Sequence, residues 1–168
     1  MQTNSADMNL LVYLGGVAVD AETASMGTRE GRKMPEKRTL ARARKDKEEG
    51  KSPSTQAGEF VREEMDHIRA GKHGAANTKQ AIAIGLSKAR RAGVKLAPPK
   101  KGATSEATRK QAARDSARGQ KNPNAKPSAK RSRAVTKALK KEPRTAASHR
   151  ALSEHAKKAA AKRKRTTG

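Results

Sequence analysis

The sequence predicts a mostly α-helical protein: a small three-helix module followed by a largely disordered basic tail. Three observations predict it. Apolar residues recur at helical spacing between residues 54 and 95, in two runs that each close on Arg-Ala-Gly followed by one residue or none and then lysine. Most bulky apolar side chains outside the first twenty residues fall in or beside that stretch. Past residue 97 the chain is Ala-, Lys-, Arg- and Ser-rich, with too few large apolar groups to offset the entropy of ordering.

Three divisions follow from composition. Residues 1–33 carry 3 basic and 4 acidic groups, residues 34–97 carry 15 and 8, and residues 98–168 carry 22 and 4. The whole chain has a net charge of +24 over 168 residues, which opposes self-compaction and favours an anionic partner. There are no cysteines, which excludes disulfides, a thiolate nucleophile and a Cys-type zinc site. The longest apolar run, Leu10 to Val19, is ten residues and too short to span a bilayer. Only Asp7 is charged ahead of it, so a secretory leader is not expected.

That run could form a lone strand, but no second strand exists to pair with it, and the expectation for 1–33 is disorder or a mis-called extension. Composition changes abruptly at Met34, which makes Met34 an alternative start. Pro35 suits the first turn of a helix, and Glu36 to Glu49 is rich in helix formers and ends at Gly50. In it Arg38, Arg42 and Lys45 fall along one face, either solvated or touching phosphate.

Ser52-Pro53 supplies a cap and a first-turn proline for the second helix. Ala57, Val61, Met65 and Ile68 form its apolar stripe, with Glu59, Glu63 and Asp66 expected on roughly the opposite face. Gly71 stops it. Asn77 or Thr78 caps the third helix, with Ile82, Leu86, Ala89 and Gly93 as the expected buried stripe and Ile84, Ser87, Lys88 and Arg91 on the far side. Val94 and Leu96 are placed to fold back over its end. Ten bulky apolar residues besides Met34, in a stretch of 64, make a marginal core, one that a partner or a second copy would tighten.

Pro98-Pro99 ends this module. Beyond it Thr104 to Arg118, Ser128 to Lys141 and Thr145 to Arg165 have helical propensity but almost empty apolar faces, so lysine repulsion is expected to keep them unfolded until phosphates neutralise it.

The basic clusters carry the functional signal. Lys100 and Lys101, then Lys130, Arg131 and Arg133, Lys140 and Lys141, Lys157 and Lys158, and Lys162 to Arg165 (with Arg163 and Lys164 between) are separated by small residues and prolines. On the third helix Lys88, Arg90, Arg91 and Lys95 are expected to give a basic exposed side. Such clusters bind phosphates by counterion release and read no base edges. Exposed aromatics for stacking single strands or RNA are missing, since Tyr13 and Phe60 are the only two and Phe60 belongs to the core. DNA is therefore the expected partner, RNA the second candidate, and a membrane is not expected.

Glu59, Glu63, Glu64 and Asp66, with His67 nearby, could be read as a metal or acid–base site. The sequence shows no further cluster that completes a coordination set, and an intramolecular role, either holding the first helix or competing with DNA for the tail, is the preferred reading. His73, His149 and His155 lack zinc-type spacing. Nucleotide-binding, metalloprotease and serine-hydrolase motifs are missing, so no catalytic constellation and no cofactor are expected.

The stretch from Lys37 to Leu96, above all SPSTQAGEFVREEMDHIR and NTKQAIAIGLSKARRAG, resembles a family of short basic bacterial proteins known as a domain of unknown function and sometimes described as DNA-binding. Asn77 stands where serine is typical, a change that keeps the cap. The resemblance implies a bacterial origin and Met34 as the start, and it implies no enzymatic role; the lack of cysteine suits a cytoplasmic setting. The Ala/Lys/Pro tail resembles bacterial linker-histone-like proteins in composition. Together these give the expectation of a nucleoid-associated protein that binds DNA without sequence preference. In it the helical module provides limited orientation or self-association as a homo-oligomer. The alternative is a protein-interaction module whose helices bind another protein, with an RNA- or ribosome-binding tail.

Overall fold

The structure, a computed structural model, describes residues 35–167 apart from 124 and 127, with the side chains of 163, 164, 166 and 167 also outside the description. The expectations for residues 1–33 lie outside the described residues. The mostly α class holds: among the described residues there are six α-helices and no strand. They are α1 (Lys37–Glu48), α2 (Pro53–Arg69), α3 (Thr78–Arg91), α4 (Glu106–Lys121), α5 (Ala129–Leu139) and α6 (His149–Thr167), with a 3-10 turn at Thr145–Ala147 before α6.

The start and stop signals act as their chemistry requires. The Ser52 hydroxyl accepts from the Thr55 N–H (3.3 Å) ahead of Pro53, and Asn77 Oδ1 accepts from the Gln80 N–H (3.0 Å). Gly50, Gly71 and Gly93 end the first three helices at φ between +72° and +91°, where a side chain would be strained.

Two apolar clusters hold the three-helix module. One joins Ala43, Ala57, Phe60, Ala89 and Val94, with Leu40, Leu86 and Leu96 at its edge, so Val94 and Leu96 do fold back and Phe60 is core. The other joins Met65, Ile68, Ala75 and Ala81 with Val61 and Ile82. Burial of Phe60 and Ile68, each no more than 1 % exposed, contributes about 1.5–3 kcal/mol apiece.

The buried faces differ from the stripes expected. On α2, Glu63, Glu64 and His67 are buried as well as Ala57, Met65 and Ile68, because α1 covers one side of the helix and α3 another. On α3 the buried line is Thr78, Ala81, Gly85, Lys88 and Ala89, one step round from Ile82 and Leu86, which are half-buried. Gly85 is the reason: a Cβ there would lie 2.7 Å from the Cα of Val61, so α2 and α3 meet almost backbone to backbone.

Past residue 97 the structure differs from the expectation of a largely disordered tail. The three stretches with helical propensity form α4, α5 and α6, and the chain returns to the module. α4 packs on α3 through Ala112, Asp115 and Gly119; Ser87 donates to Asp115 Oδ2 (2.5 Å) and Gln120 Nε2 to the Gly93 carbonyl (3.0 Å). Ala146 and Ala147 enter the second apolar cluster, with Leu152 beside them. Around them Thr78 Oγ1 donates to the Ala146 carbonyl (2.8 Å), Arg69 Nε to that of Ala147 (3.0 Å) and the Ala75 N–H to that of Pro143 (3.0 Å). The physical reason is that small side chains let backbones approach and satisfy one another's polar groups.

Candidate nucleic-acid interface

The cations singled out from the sequence separate into two groups. Lys95, Lys100 and Lys101 are exposed on the segment between α3 and α4. Lys130, Arg131 and Arg133 are exposed on α5, and Lys140 and Lys141 just after it. Lys157, Lys158, Lys162 and Arg165 are exposed on α6, within about 140° of arc at 100° per residue, which makes one cationic face about 12 Å long. The side chains of Arg163 and Lys164 lie outside the described residues.

Lys88 and Arg90 correct the expected basic side of α3: both are 7 % exposed. Lys88 reaches Glu64 Oε2 at 2.5 Å and Glu63 Oε1 at 3.8 Å. Arg90 donates from a terminal nitrogen to the Ala97 carbonyl (3.1 Å), and burial lowers its pKa from the ordinary guanidinium value. Arg91 is half-buried, its Nε donating to the Ser87 carbonyl (3.1 Å). Of the four cations expected to form that basic side, only Lys95 is exposed.

Part of the acidic set goes the other way, while Glu48, Glu49 and Asp66 stay exposed. Glu59 pairs with Arg42 and Glu63 Oε2 accepts the Glu36 N–H (3.2 Å), so this patch does hold α1. Glu36 Oε1 accepts from His67 Nε2 (2.9 Å), a bond that lowers the Glu36 pKa. Glu64 is fully buried, facing Lys88 and His73. Asp115 is buried under α3. Turning these carboxylates inward leaves the outer surface more uniformly positive than the sequence ratio implies.

Two features were not read from the sequence. The first is a cleft of about 710 Å³ between the N-terminal ends of α3 and α6, where Lys79, Arg150, His155 and Lys158 converge with Glu154. The fold alone brings residues 79 and 150 together. The second is His73, which the turn at Gly71 swings back toward Glu64 and His67, so that one ligand-type atom from each of the three falls within 4.8 Å of the others. No described helix is long and apolar enough to cross a membrane.

Residues 44–101 match the model of a family of unknown function (DUF6496). The matched stretch takes in the C-terminal part of α1, all of α2 and α3, and Lys95, Lys100 and Lys101; it ends before α4. No curated protein and no solved structure matches the chain.

Proposed function

We propose that the chain binds nucleic acid, duplex DNA foremost, through phosphate contacts that do not discriminate sequence. One observation carries the reading: cations past residue 97 stand out on the surface of α5, α6 and their connections, while Asp46, Glu63 and Glu64 of the module are buried. A phosphate lattice is the ligand such a surface fits, because each contact releases a condensed counterion and needs no particular base. The helical module acts as a base on which α4 and α6 pack and to which the end of α5 is tied at the Leu139 carbonyl, in place of a free tail. RNA with double-helical regions presents the same phosphates and is the second ligand on this reading. A bacterial nucleoid is the proposed setting.

The test is charge replacement on the α6 face. The variant K157Q/K158Q/K162Q/R165Q keeps helix propensity and removes four cations. Its duplex affinity should fall, and its log–log salt slope should flatten by up to about 3.6, at about 0.9 per phosphate contact. An unchanged slope in a folded variant contradicts the proposal.

A further inference from the structure

We propose that Glu64, His67 and His73 form a binding site for a divalent transition-metal cation of the zinc class, buried between α2, α3 and the loop that follows α2. Glu64 and His67 are three residues apart on one helix face, the Glu-x-x-His spacing that lets both side chains reach one ion. His73 comes from the loop. Its Nδ1 donates to the Gly74 carbonyl (3.1 Å), which aims the other ring nitrogen at Glu64 Oε1, 3.1 Å away. A backbone carbonyl fixing one imidazole nitrogen so that the other can ligate is how protein metal sites orient histidine. A neutral Nε2 and a carboxylate oxygen attract only when something positive lies on or between them.

A second observation lies in the site itself: Glu64 is fully buried and its Oε1 carries no hydrogen bond. Beside the site stands a second such oxygen. Glu63 is 3 % exposed, and its Oε1 accepts no hydrogen bond. Lys88 Nζ at 3.8 Å and His67 Nε2 at 3.9 Å are beyond hydrogen-bonding reach. A buried carboxylate oxygen without a donor is costly unless a cation comes to it. Lys88 does not fill the role for Glu64 Oε1: it sits on the other oxygen, Oε2, and holds the carboxylate in orientation. With neutral imidazoles, Glu36, Glu63 and Glu64 outnumber Lys72 and Lys88 by one charge, so the pocket accepts a further positive one. Two imidazoles with a carboxylate favour zinc, cobalt or nickel over magnesium or calcium.

The experiment uses the full-length chain, stripped with chelator and titrated with Zn²⁺ by calorimetry and with Co²⁺ by visible absorption. Expected are one saturable site, a rise in the thermal midpoint with Zn²⁺, and the visible bands of Co²⁺ held by nitrogen and oxygen ligands. H73Q should weaken Zn²⁺ binding by more than about 100-fold, beyond the effect typical of an outer-shell partner. H149Q/H155Q should leave it unchanged. H73C keeps a ligand at that position and should restore binding, adding a near-ultraviolet sulfur-to-cobalt charge-transfer band that a purely structural histidine could not produce. Failure of the parent chain to bind saturably, parent-like binding by H73Q, or loss of binding in H149Q/H155Q overturns the proposal.

Discussion

The ammonium of Lys88 lies 2.5 Å from Glu64 Oε2, joining a cation of α3 to a carboxylate of α2 in a setting where the side chains are 7 % and 1 % exposed. Lysine on α3 is thus a support for the fold, and its charge is spent inside the molecule. Removing one partner of such a pair strands the other. K88M should therefore destabilise the full chain by about 3–5 kcal/mol, and K88M/E64L should recover most of that loss, as measured by urea denaturation. The DNA salt slope of folded K88M should equal that of the parent.

The same pocket sets a pH dependence in chelator-treated protein. The Glu64 carboxylate raises the His73 pKa above its ordinary 6.5, against burial and the charge of Lys88. Stability from that imidazolium is complete below 6.5 and is lost as pH rises through the folded value. Glu64 is shifted the other way: burial raises its pKa, but His73 and Lys88 outweigh burial and hold it below 4.5. Its contribution is present above 4.5 and lost as pH falls through the folded value. His67 also lies near His73, with ring centroids 6.2 Å apart. Urea midpoints should be highest between about 4.5 and 6.5, and the decline above 6.5 should be missing in H73Q. An H73Q profile that tracks the parent above pH 6.5 would remove His73 as the cause.

α4 is held to α3 by a glycine contact that tolerates no side chain. A Cβ on Gly119 would fall 1.9 Å from the Arg90 carbonyl oxygen. G119A should release α4, so amide hydrogen exchange across Glu106–Lys121 rises sharply while α2 stays protected. G85A should instead loosen the module itself, at a cost of about 1–3 kcal/mol, since the Val61 backbone stands in the way. Equal protection of α4 in G119A and parent would contradict the packing described.

Caps, stops and the core role of Phe60 were legible in the sequence because each depends on a few neighbouring residues. Ser52-Pro53, Asn77 and the three glycines act locally. The packing that joins distant segments was not legible, because it is made of alanine and glycine. A search for large apolar side chains passes over Gly85, Gly119, Ala146 and Ala147, whose use lies in letting backbones approach. The burial of Lys88 and Arg90 escaped for a related reason: a stripe read from Ile82 and Leu86 is one position off, and that step moves Lys88 from the outer face to the inner one. His73 gave no signal by spacing, since only the turn at Gly71 returns it to the helix that carries Glu64 and His67.

Truncation after residue 97 consequently does more than remove charge. It also takes away Ala112, Ala146 and Ala147 and the partners of Thr78 and Arg69. A chain ending there should unfold at lower urea concentration than the full protein, with a smaller m-value from its reduced buried surface. A midpoint equal to that of the full chain would mean the returning segments add nothing to the module.

The most direct measurement is a salt titration of the full-length chain against two duplexes of unrelated sequence and equal length. Expected are equal affinities for both, falling together in a straight log–log line whose slope corresponds to several phosphate contacts at about 0.9 each. Affinity that is independent of salt, or that strongly favours one duplex, would contradict binding through exposed cations alone.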